Sequence, residues 1–203
     1  MKYSIHPAFL LLLMAIALYG NIALYSVIII SLVVHELGHF VAAKLVGVKV
    51  ETCRILPYGG EMTLRNEMQL SYRQLITVAL GGPVATLVGL MLSLLLPTLL
   101  KELFIEVQLF ILLINLFPLW PLDGGRIVCF TLLQHFSHVK LFEYYVSTSF
   151  YLLSAIIIVL LYLLPQSLSL AVVSIFLWSK VIGDWRIRKY RSAFEKHVMN
   201  RLT

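Results

Sequence analysis

Residues 31 to 44 read SLVVHELGHFVAAK, two histidines and a glutamate inside an otherwise apolar run. On a helix, positions four apart share a face and lie ~6 Å apart along the axis, so His35 and His39 can grip one ion between their imidazoles. Neutral imidazole suits zinc. Glu36 stands beside the first histidine, placed to take a proton from an activated water rather than to ligate the ion, and the pattern is HExxH in full. Gly38 leaves space beside the helix for a substrate backbone. The competing reading has neighbouring helices satisfy both histidines and a basic group satisfy Glu36. It must account separately for three ionisable groups that are each costly at bilayer depth, and the metal reading is preferred.

A catalytic zinc takes three protein ligands and keeps its fourth place for water. Residues 114 to 126, INLFPLWPLDGGR, offer the third. Pro118 and Pro121 interrupt the preceding helix, and Asp123 follows, backed by Gly124 and Gly125, which let another stretch of chain come close. Asp is also a favoured N-cap, and alone Asp123 would read as the cap of GGRIVCFTLLQHF; the HELGH cluster favours the ligand role. Asn115, one turn before Pro118, reads equally as an interhelical hydrogen-bonding group and as a donor to a substrate carbonyl or developing oxyanion. Other acids compete poorly: Glu106 lies toward the outer face, Asp184 stands among basic residues, and Glu51, Glu61 and Glu67 fall in a loop. His135 and His138 are placed at the interface. Cys53 and Cys129 lack CxxC spacing, which suggests neither a disulfide scaffold nor a thiolate zinc site.

The elements that must position these residues are membrane helices. The chain has 203 residues, 60% hydrophobic and 13% charged, with a mean hydropathy of +0.92, far from a soluble domain. Runs of about 20 apolar residues are found at roughly 8 to 20, 22 to 43, 74 to 96, 102 to 120, 146 to 164 and 167 to 183. The fold class is thus an all-α polytopic membrane protein with six transmembrane helices. With the N-terminus in the cytoplasm, every one of the 16 lysines and arginines except Lys101 falls in a cytoplasmic segment, as the positive-inside rule requires. Both termini are then cytoplasmic, and HELGH and Asp123 lie at the same side of the bilayer. The net charge of +6 reflects topology and attraction to anionic lipid, not nucleic-acid binding. A cleaved signal peptide over residues 1 to 20 is disfavoured by its poor cleavage pattern.

Residues 47 to 64, GVKVETCRILPYGGEMTL, predict a short membrane-associated β-hairpin turning at Gly59 and Gly60. The segment from Asp184 to Thr203 is a basic tail suited to a helix on the inner leaflet or to a charged anchor for the sixth span. Residues 1–183 form one domain followed by this tail. Repeats are absent, and a repeat would favour a transporter. A proton or metal transporter, an inactive protease-like chaperone, and a diiron oxidase needing more histidines remain the rival classes.

HELGH in the second span together with NLFPLWPLDGGR in the fourth resembles the site-2 protease (M50) family of intramembrane zinc metalloproteases. HPAFLLLL, LPYGG, GGPVATL and LWPLDGG, in that order, are similar to its stage IV sporulation protein FB type, over nearly all of residues 5 to 185. The resemblance implies a zinc ion held by His35, His39 and Asp123, with Glu36 as base and Asn115 contacting substrate. It implies a membrane-associated protein substrate, in the sporulation type a sigma-factor precursor, with membrane inhibitor proteins, in a bacterial cell or forespore membrane. Two departures stand out. Thr86 occupies a place where many members carry asparagine, so that asparagine's role is not carried over. The chain stops at Thr203 without the nucleotide-sensing CBS domain common in the sporulation type, so no ATP dependence is carried over.

Overall fold

Residues Ile22–Leu45 form one helix, α1, with HELGH in its second half. Its length of ~36 Å is enough for the hydrocarbon core of a bilayer. Val33, Leu37, Val41 and Leu45 stand exposed along one side, while His35, His39, Ala42 and Ala43 are buried on another. That division suits a helix with lipid on one face and protein on the other. The helix stops where Gly47 takes a positive φ of 73°. There the Val48 amide reaches the Ala43 carbonyl at 2.9 Å and the Gly47 amide the Lys44 carbonyl at 3.2 Å, so a Schellman motif satisfies the last carbonyls.

The computed structural model describes residues 2–5, 22–56, 59–136 and 140–202. The expected first span at 8 to 20, Pro57, Tyr58 and His138 lie outside them. The described chain divides into two compact units, Met1–Phe117 and Pro118–Thr203.

In the first unit α1 is followed by strands β2 (Val50–Leu56) and β3 (Gly59–Leu64), antiparallel as expected. Gly59 and Gly60, expected to make the turn, instead pair with Leu56 and Ile55 inside the ladder. Without side chains these glycines can extend as readily as bend. Unforeseen is β1 (Lys2–Ile5), parallel to β2, which makes a three-stranded sheet of order β1-β2-β3. A capping box starts α2 (Tyr72–Ser93): the Gln74 amide donates to Ser71 Oγ at 3.3 Å, and the Ser71 amide to Gln74 Oε1 at 3.1 Å. Gln74 Nε2 also donates to the Val46 carbonyl at 3.2 Å, tying the start of α2 to the end of α1. The third helix, α3 (Thr98–Asn115), packs Val107 and Ile111 against Val27 of α1. It ends at Asn115, short of the expected 120, because the approach to Pro118 disfavours helical backbone.

Helices α1 and α2 approach too closely for side chains at their crossing. A Cβ on Gly81 would sit 2.5 Å from the Gly38 carbonyl oxygen and 2.7 Å from Ala42 Cβ, and one on Gly38 would run into the Gly81 carbonyl. The space at Gly38, expected to admit substrate, is therefore filled by α2.

The second unit holds α4 (Asp123–His135), α5 (Leu141–Tyr162) and α6 (Leu168–Leu202). The last runs without interruption from the expected sixth span to the end of the basic tail. Among the described residues three helices, α1, α2 and α5, are long and apolar enough to cross a membrane.

Candidate metal centre

His35 and His39 are both buried, and their rings meet edge to face with centroids 4.9 Å apart. The two Nε2 atoms face each other at 3.2 Å. What each ring does with its other nitrogen decides what the facing pair can hold. Thr86, in α2, spends its single hydroxyl proton on the Gly82 carbonyl at 3.0 Å. Toward His35 Nδ1, 2.8 Å away, the same oxygen can only accept, so Nδ1 carries the proton. His39 Nδ1 lies 2.8 Å from the Val78 carbonyl, and the Gly82 amide donates to it at 3.2 Å.

The two Nε2 atoms converge on one point, where a cation would be held by both lone pairs. Tetrahedral zinc with Zn–N bonds of ~2.0–2.1 Å separates two ligand nitrogens by ~3.3 Å, close to the distance found. An outer partner on each Nδ1 is the ordinary support of metal-bound histidine. Room for the pair comes from Gly82: a Cβ there would lie 2.6 Å from His35 Nε2 and closer still to His39 Nε2. The α2 turn that receives His39, Val78 to Gly82, immediately precedes Pro83, which has no amide proton and crowds the Ala79 carbonyl.

Glu36 is half-buried beside His35 on α1. Asn115, the last residue of α3, donates from Nδ2 to the Ile111 carbonyl of its own helix at 3.0 Å. Its amide retains a second N–H.

Asp123 belongs to the second unit. It is buried, 7% exposed, and opens α4 as its first residue, with Leu122 in the cap position, so it is not the N-cap. A carboxylate in the first turn suits the helix dipole. The loop before it is held from three sides: the Trp120 amide donates to Ser149 Oγ at 3.1 Å, Trp120 Nε1 to Asp184 Oδ2 at 2.7 Å, and the Tyr145 hydroxyl to the Pro118 carbonyl at 3.0 Å. Gly125 lets the Leu119 backbone pack against α4 where a side chain would collide. Asp184 thus has a structural task. Thr86, Ser149 and the Trp120 to Asp184 bond were not foreseen. A lone threonine four residues after a glycine in an apolar helix was the faint signal for the first.

HExxH on a span-length helix, with both Nε2 atoms facing one point, is the arrangement of a membrane metalloprotease. Residues 23–104 match the model of peptidase family M50. The chain is 25% identical to stage IV sporulation protein FB of Bacillus subtilis, covering 94% of this chain and 68% of that one. It is 26% identical to a zinc metalloprotease of Methanocaldococcus jannaschii, covering 92% of this chain and 58% of that one. The solved site-2 protease from Methanocaldococcus jannaschii superposes with a TM-score of 0.65 at 25% identity, covering 91% and 92% of the two chains. Over residues 23–104 the chain is similar to peptidase family M50, and over nine-tenths of its length to a zinc metalloprotease and to a site-2 protease.

Proposed function

We propose that this protease cuts a peptide bond in or near a membrane segment of a protein substrate, with His35, His39 and Asp123 holding the zinc. The reading carries six spans with both termini cytoplasmic, which puts the site toward the inner leaflet. When bound, the ion would supply a water whose pKa is lowered to about 7 and would polarise the scissile carbonyl. Glu36 takes the proton from the attacking water and returns it to the departing amine. Asn115 donates its second amide hydrogen to the carbonyl oxygen as negative charge gathers there.

A helical substrate hides its carbonyls and must unwind before attack. Strand β3 is at the edge of its sheet among the described residues and can pair with such an extended chain. Following the sporulation relative, the substrate is a sigma-factor precursor, and membrane inhibitor proteins restrain the enzyme.

The observation that carries this reading is the pair of buried Nε2 atoms facing each other at 3.2 Å on the helix of Glu36. Glu36→Gln, co-expressed with a sigma-factor precursor that the unaltered protein cuts, tests it. Cleavage falls by 10²–10⁴-fold while bound zinc stays at one per chain; persistent cleavage would overturn Glu36 as the base. Asp123→Ala should strip zinc from the purified chain, and retention at full affinity removes Asp123 from the ligand set.

A further inference from the structure

Thr86 is fully buried in α2, one turn beyond Gly82. A threonine in a membrane helix commonly turns its hydroxyl back to the carbonyl four residues earlier, and Thr86 does so at 3.0 Å. That bond alone would leave the other side of the oxygen without a task. Instead it faces His35 Nδ1 at 2.8 Å. The proton relay is thereby ordered in one direction: Thr86 gives to the Gly82 carbonyl and receives from the imidazole.

We infer that Thr86 is a positioning residue of the metal centre, which fixes the ring orientation and tautomer of His35 so that its Nε2 is presented to the ion. The inference rests on His35 and His39 being zinc ligands. His39 receives the equivalent support from the Val78 main-chain carbonyl, which no substitution removes. Thr86 is therefore the side chain through which zinc affinity is set. A serine keeps the relay, whereas valine keeps the shape and abolishes it.

The test uses the full chain in detergent, with zinc affinity measured by chelator competition and helix content by circular dichroism. Thr86→Val should weaken zinc 10–100-fold, the usual loss when such an outer partner is removed, with helix content unchanged. Thr86→Ser should stay within ~3-fold of the original. Valine binding as tightly as threonine, or serine losing as much as valine, overturns the inference. Should the valine variant not fold, nitrogen NMR of the unaltered protein labelled at histidine decides: a protonated Nδ1 and unprotonated Nε2 on His35 support the assignment, and the opposite tautomer defeats it. Failure of the unaltered chain to bind zinc would instead defeat the metal reading beneath it.

Discussion

At the scale of single residues, the site depends as much on an absent side chain as on those present. Gly82→Ala would place a methyl group 2.6 Å from His35 Nε2, where the two ligand nitrogens converge. Its expected outcome is loss of zinc by at least tenfold, read as metal content after dialysis, with the helices intact. The HExxH pattern needed only helical periodicity to be recognised, because both histidines and the glutamate lie on one helix. Thr86 could not be recognised in that way. Its oxygen meets His35 across 51 positions of sequence, through the register in which α1 and α2 cross, and no local pattern encodes that register.

At the scale of elements, α1 and α2 are joined by glycine backbone rather than by interlocking side chains. Gly81→Ala forces them apart against Gly38 and Ala42. Such overpacking destabilises by ~1–3 kcal/mol, and the midpoint of thermal unfolding in detergent should fall. Gln108 of α3 gives the reverse expectation. Its side chain is 2% exposed and its Oε1 lacks a hydrogen-bond partner among the described residues. An apolar residue of similar length relieves that desolvated oxygen, so Gln108→Met should leave the midpoint unchanged or raise it. The antiparallel hairpin was legible from its β-branched alternation. β1 was not: four residues are too few for a periodicity, and its partner β2 is 50 positions away. The same limit hid the end of α3, where one apolar run covers both helix and loop.

At the scale of the whole molecule, the proposed six-span topology places Lys101 and Arg65 on opposite sides of the membrane. Cysteines introduced at these positions should react with an impermeant thiol reagent from opposite faces of sealed vesicles; labelling from one face would break the six-span topology. Membrane character was legible from composition alone, because 60% hydrophobic residues in 203 cannot all be covered by a soluble core. Only three described helices meet the length and apolarity of a span, since Lys101, Glu102 and Glu106 fall inside α3. Meanwhile α6 continues as one helix of 35 residues, a rod of ~52 Å. Asp184 on that rod grasps Trp120, three positions before the carboxylate that opens α4. A pull on the basic end of the rod would reach, through stiff backbone, the loop that precedes Asp123, so under the proposed zinc reading the tail is a handle on the third ligand.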